Sequence, residues 1–132
     1  MNQPFGLFER GTGDTMINVR SGLRILVASR PVDFRRGMDS LAMLVSEMLR
    51  KDPFCGDLFI FRPKRADRIK ILMWDGTGLT LYSKRLESGR FTWPPICDGS
   101  IMLSATQFSL LLEGSDWRKV PQRIVDRPLR AG

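Results

Sequence analysis

The sequence predicts an α+β fold: a small, mostly antiparallel sheet with a central β-hairpin and two helices packed on one face. Two segments carry apolar residues at helical spacing, and several short runs are rich in branched and aromatic residues. Two of those runs flank a glycine-rich turn signal. With 132 residues, 42% of them hydrophobic, the chain has the size and composition of one domain with its own core.

The first part of the chain contains a predicted strand and the clearest predicted helix. Residues 23–29 are branched and apolar and lie between Gly22 and Pro31, which indicates a strand. From Met38 onward, apolar residues recur at steps typical of a helix, over residues 38–51. Asp52-Pro53 ends that helix, because the residue before a proline avoids the helical region.

A second group of strands follows, with the hairpin among them. Residues 58–61 form a strand that we expect to be covered on both sides. Residues 68–74 alternate, which places Ile69, Ile71 and Met73 on one face. Residues 75–78 form the turn, and residues 79–85 return as the partner strand. Shorter strands are predicted at 90–93 and 100–103.

The second helix begins at a recognisable cap. Ser104 and Gln107 match a capping box, in which each side chain accepts a hydrogen bond from the other residue's backbone. Phe108 and Leu111 belong to one apolar face behind the cap, and Gly114 ends the helix.

These elements predict three regions. Residues 1–16 are expected to be a flexible leader. Met16 directly precedes an ordered-looking segment, which favours a native start at this methionine. Residues 17–116 form a single α+β domain, and residues 117–132 form a basic, flexible tail. The chain has no apolar run of membrane-spanning length and no signal-peptide pattern, so a cytoplasmic protein is expected.

The composition excludes much of enzyme chemistry. Without histidine, the chain cannot form a Ser-His-Asp or Cys-His catalytic arrangement. Cys55 and Cys97 are too few for a zinc site, and we expect them to be buried free thiols. Asp33, Asp75 and Glu87 each have an ordinary local role, as a cap, a turn residue and an ion-pair partner. We therefore expect no catalytic residues, no metal and no cofactor, and a small metal-dependent nuclease is the least favoured alternative.

The basic excess favours nucleic acid as a ligand. The net charge is +7 and the pI about 10.2, with 16 arginines and five lysines. Arginine pairs with phosphates through two parallel hydrogen bonds and stacks on bases. Many of the cations cluster around the hairpin, and a solvated sheet face is the competing interpretation. The candidate nucleic-acid-binding residues are Arg62, Lys64, Arg65, Arg68, Lys70, Lys84, Arg85 and Arg90.

The hairpin region also contains aromatic residues. Trp74, Tyr82 and Trp93 are interleaved with the cations, a pattern compatible with base stacking, although core packing is favoured for the tryptophans. An alternative function uses the exposed Trp93-Pro94-Pro95 segment and a sheet edge to dock on a protein without touching DNA. The sequence does not distinguish DNA from RNA as the ligand. It is compatible with a homo-oligomer as well as with a monomer.

Five segments together resemble one protein family. They are DFRRGMDSL at 33–41, DPFCGDLFIF at 52–61, IKILMWDGTGL at 69–79, YSKRLESGRFTWP at 82–94 and LLEGSDW at 111–117. In order and spacing the chain is similar to the accessory TnpB (Orf2-like) proteins of a bacterial insertion-sequence family that encodes a separate DDE transposase. The resemblance implies a role in assisting transposition, with the element's transposase as a partner. The element's DNA is expected as a partner because of the basic cluster and the net charge. It supplies no catalytic residues.

Overall fold

The computed structural model describes residues 22–121, in which five strands form one sheet and two α-helices pack against it. The elements are β1 (Ile25–Val32), α1 (Met38–Met48), β2 (Leu58–Pro63), β3 (Arg68–Trp74), β4 (Leu79–Arg85), β5 (Ser100–Leu103) and α2 (Ala105–Glu113), followed by a short 3-10 helix (Trp117–Lys119).

The strands lie in the order β4-β3-β2-β1-β5. Strands β1 and β2 are parallel, with α1 as the crossover that parallel neighbours require, and the other pairs are antiparallel. The predicted α+β class with a mostly antiparallel sheet is therefore confirmed. The β3–β4 hairpin forms as predicted, but it occupies one side of the sheet rather than its centre, because β4 is an edge strand.

Each face of the sheet is covered by one helix. Leu41 and Val45 of α1 pack with Phe59 and Phe61 of β2 on the first face, here named the α1 face. Phe108 and Leu111 of α2 pack in the cluster on the opposite face, the α2 face, with Ile25, Ile60 and Ile71 among its other members. The prediction that both helices lie on one face is wrong. The buried residues of the central strands alternate between both clusters, so each face needs its own cover.

Several predicted boundaries hold and others shift. The capping box of Ser104 and Gln107 is present, and Gly114 ends α2 at a left-handed φ of 89°. Helix α1 ends at Met48 instead of residue 51, and Arg50 beyond it has a left-handed φ of 55°. Residues 90–93 form no strand, although Phe91 in this segment is buried.

The domain extends past the predicted boundary at residue 116. Trp117 is buried in the cluster on the α2 face, and its indole Nε1–H donates to the carbonyl oxygen of Thr92 over 2.6 Å. The prediction that the tail begins at Trp117 is therefore wrong, because this residue belongs to the core. The predicted leader at 1–16 and the tail beyond residue 121 lie outside the described residues.

Candidate nucleic-acid interface

Two backbone hydrogen bonds hold the exit of β4 against the turn between β2 and β3. The N–H of Leu86 donates to the carbonyl oxygen of Asp67 over 2.9 Å, and the N–H of Phe91 donates to that of Ala66 over 2.8 Å. Arg85 directly precedes Leu86 and Arg90 directly precedes Phe91, so both arginines are brought close to the cations of the turn. The resulting group, here named the turn cluster, consists of Lys64, Arg65, Arg68, Arg85 and Arg90.

Within the turn cluster, Arg68 and Arg85 lie directly opposite each other. They are cross-strand partners in the β3–β4 register, so their side chains leave the same face of the sheet. Directly opposed residues of antiparallel strands have Cβ atoms about 5 Å apart, and like charges at this spacing destabilise the pair. The turn thus contains an unfavourable juxtaposition that a bound anion would relieve.

Acidic residues neutralise only part of the turn cluster. The Asp67 carboxylate lies 3.6 Å from Arg65 Nε and 3.9 Å from Arg68 Nε, both longer than a hydrogen bond. The Nε of Arg68 is buried without a hydrogen-bond partner in the described part of the chain. Across residues 22–121, no ion pair forms to Lys64, Arg85 or Arg90.

The loop before α1 adds to the turn cluster on the α1 face. Lys70 Nζ donates to the carbonyl oxygens of Phe34 and Arg36, the latter over 2.9 Å. The Arg68 guanidinium lies over the Phe34 ring, 5.4 Å from its centroid. These contacts place residues 33–37, here named the α1 loop, beside the turn.

Arg36 supplies most of the net charge of the α1 loop, because Asp33 and Arg35 pair with each other. Asp33 accepts two hydrogen bonds from the Arg35 side chain and one from its backbone N–H. These bonds lower the pKa of Asp33 to about 2, and the two side-chain charges offset each other. Arg36 donates to the Ser40 hydroxyl and forms no ion pair with a described residue, so it remains available to an anion.

Two of the predicted binding residues lie on the other face. Lys84 is the cross-strand partner of Ile69, and its Nζ donates to the Leu112 carbonyl oxygen near the C-terminus of α2, where a cation is favourable. The Arg62 guanidinium lies 5.6 Å from the Trp93 ring centroid, and burial lowers the pKa of Arg62. The prediction of a single basic hairpin face is therefore wrong. Neighbouring strand residues point to opposite faces, which separates Lys84 from Arg85.

The predicted docking segment is only partly accessible. Trp93 is half-buried and its ring lies 5.8 Å from that of Phe91, Pro94 is buried, and Pro95 is exposed. The expectation of an exposed Trp93-Pro94-Pro95 surface is wrong for Pro94, because the chain turns it into the domain.

The sequence-based prediction missed an exposed aromatic residue. Trp74 and Tyr82 are half-buried, whereas the Phe34 side chain is 45% exposed and lies against Arg68. The neighbouring residues DFRR at 33–36, an aromatic ring between an acid and two arginines, were the signal that could have identified it.

Groups that could support catalysis have other roles or environments. Cys55 and Cys97 are free and exposed, so the prediction of buried thiols is wrong. Asp75 accepts hydrogen bonds from the backbone N–H groups of Thr77 and Gly78, which lower its pKa and explain its place in the turn.

Residues 22–121 contain no cluster of three or more potential metal ligands. Within the same range, no helix is long and apolar enough to cross a membrane.

Comparison with known proteins adds four findings. A family model described as "IS66 Orf2 like protein" matches residues 23–122. The uncharacterized protein y4jC of Sinorhizobium fredii is 51% identical over 115 residues, which cover 87% of this chain and 98% of the relative. The uncharacterized protein y4hO of the same organism is 40% identical over 117 residues, covering 89% of this chain and all of the relative. No solved structure matches the chain. The region matched by the family model contains the whole turn cluster.

Proposed function

The chain belongs to the IS66 Orf2-like family, and we propose that it assists transposition as a non-catalytic factor that binds DNA through the turn cluster and the α1 loop. Such a factor acts in the cytoplasm, where bacterial DNA lies, alongside the separate transposase.

The opposed arginines Arg68 and Arg85 carry this proposal. A protein gains nothing in stability from two like charges at a directly opposed position, and Asp67 forms only a loose ion pair with one of them, at 3.9 Å from Arg68 Nε. Phosphate oxygens supply the charge and the acceptors that the two guanidinium groups lack. Lys64 and Arg90, both exposed, add to the positive charge at the same turn.

An interface that contacts phosphates predicts how steeply DNA affinity falls as the salt concentration rises. Each phosphate contact with duplex DNA contributes about 0.9 to the slope of log affinity against log salt. Contacts from all members of the turn cluster would produce a slope of about −4.5, so a fourfold rise in salt would weaken binding by about 500-fold.

Fluorescence anisotropy with labelled duplexes tests the proposal. The probes are an element-end duplex and a random duplex, each titrated at two salt concentrations. The variant Lys64→Gln/Arg85→Gln should reduce the salt slope by about 1.8, because two phosphate contacts are lost. The matched control is Arg50→Gln/Lys51→Gln, which removes the same charge beyond α1, a helix that carries the chain about 16 Å from the α1 loop.

The control should retain its affinity within about twofold, since its cations lie outside the proposed contact zone. Equal losses in the two variants would mean that net charge alone attracts DNA and would refute an interface at the turn. Undetectable binding of the unmodified protein to both duplexes and to a labelled single strand would refute the proposed function.

The competing function is docking on the transposase without DNA contact. The edge strand β4, paired only with β3 among the described strands, favours it because an edge offers backbone groups to an added strand. A pull-down with purified transposase in the presence of nuclease separates the two. A complex that survives nuclease supports docking, and one that disappears supports an interaction through DNA.

A further inference from the structure

The Phe34 side chain is exposed to solvent although the backbone around it is fixed by hydrogen bonds. Its side chain is 45% exposed, while its carbonyl oxygen accepts a hydrogen bond from Lys70 Nζ. Two hydrogen bonds close the turn around it: the N–H groups of Arg35 and Arg36 donate to the Oδ1 and the carbonyl oxygen of Asp33, respectively, each over 3.0 Å. The exposure of this ring is therefore a property of an ordered turn.

The ring lies among cations suited to phosphate. Arg68 touches it, with the guanidinium carbon 5.4 Å from the ring centroid, and Arg85 lies opposite Arg68 on the same face of the sheet. Lys70 follows two residues later on β3 and so points to that face as well. Asp33, next to the ring in the chain, is engaged by Arg35, and Asp67 lies 3.9 Å from Arg68 Nε. An aromatic surface and arginines that acidic residues neutralise only in part thus adjoin at one place.

We infer that Phe34 stacks on an unpaired base while Arg68 and Arg85 bind the neighbouring phosphates, so that the preferred ligand is single-stranded DNA. This inference rests on the proposed function and specifies its ligand. A ring beside a cationic groove is the arrangement by which proteins bind single strands, because every base offers a π face. In an intact duplex the bases are stacked on each other, and a side chain at the surface has no free face to cover.

The experiment compares a labelled oligothymidine with a blunt duplex of equal length, at one salt concentration. Phe34→Ala should weaken binding to the single strand by about tenfold, the typical effect of removing one stacking side chain, and weaken duplex binding by a smaller factor. Phe34→Trp should restore single-strand affinity, because a larger ring stacks at least as well. Circular dichroism and thermal melting establish that each variant is folded.

Phe54→Ala is the matched control. Phe54 is also an exposed phenylalanine, with 54% of its surface accessible, and it lies beside Trp74 at the opposite end of β3 from Arg68. The Phe54→Ala protein should bind both probes with the affinity of the unmodified protein.

The outcomes distinguish the two proposals. Unchanged single-strand binding in Phe34→Ala, or equal losses on both probes, would overturn the stacking inference and leave the proposed function standing. Failure of the unmodified protein to bind either probe would overturn the proposed function, and the stacking inference with it.

Discussion

Replacing Arg85 by glutamate should stabilise the fold and weaken DNA binding in the same protein. The substitution converts a like-charge cross-strand pair with Arg68 into an opposite-charge pair on the same face of the sheet. The side chain at this position is exposed and forms no ion pair in the described part of the chain, so little packing is lost.

The size of the effect follows from the geometry of the pair. Opposite charges directly across an antiparallel ladder stabilise by about 0.2–1 kcal/mol, and like charges destabilise. Exposure of Arg85 and the proximity of Asp67 to Arg68 place the expected gain in the lower part of that range, about 0.5 kcal/mol. For a domain of this size, such a gain raises the melting temperature by about 2–4 °C.

Urea denaturation at low and high salt measures this gain. At 1 M salt the screening length is about 3 Å, shorter than the separation of the pair, so the difference between variant and unmodified protein should largely vanish. Arg85→Gln is the control, and it should recover part of the gain because it removes the repulsion without adding an attraction. DNA affinity, measured by anisotropy, should fall in both variants and further in Arg85→Glu. A glutamate variant that is less stable at low salt, or that binds DNA normally, would refute the reasoning.

Three further predictions concern local structure. Gly114→Ala should lower the free energy of unfolding by about 1–2 kcal/mol, because φ is 89° and the new Cβ would lie 3.3 Å from Leu86 Cδ1. Ser104→Ala should cost about 1 kcal/mol through loss of the N-cap, measured in the same urea titration. Asp33 should titrate with a pKa of about 2 in an NMR pH series, and Arg35→Gln should move that pKa toward 3.8. Since the folded pKa is lowered, the contribution of Asp33 to stability is present above pH 4 and disappears as the pH falls toward 2.

Each of these predictions has a contradicting result. A Gly114→Ala protein as stable as the unmodified one would show that the turn after α2 relaxes freely. An unchanged midpoint in Ser104→Ala would show that solvent replaces the cap at no cost. A normal Asp33 titration would mean that its bonds with Arg35 do not persist in solution.

Local chemistry accounts for the elements that the sequence predicted well. The hairpin followed from alternation in residues 68–74 and from the glycines of the turn, and its register is a consequence of both. Helix α2 followed from Ser104, Gln107 and Gly114, whose roles depend only on residues within a few positions. Signals of this kind are complete within a short stretch of chain.

The features that sequence reasoning missed depend on distant parts of the chain. Trp117 belongs to the core because its indole reaches Thr92, a partner 25 residues away. Phe34 lies beside the turn cluster because Lys70, 36 residues away, binds its carbonyl oxygen. No spacing or composition within either segment indicates such a partner.

The sequence by itself determined that the protein is a small basic α+β domain without histidine, with eight of its 21 lysines and arginines around one hairpin. Only the tertiary structure decided which of those cations act together. Alternation along β4 sends Lys84 to the end of α2 and Arg85 toward Arg68, and backbone hydrogen bonds then bring Arg90 to the same turn. The physical reason is that charge is a property of residues, whereas an opposed pair of charges is a property of strand register, which requires the partner strand to be in place.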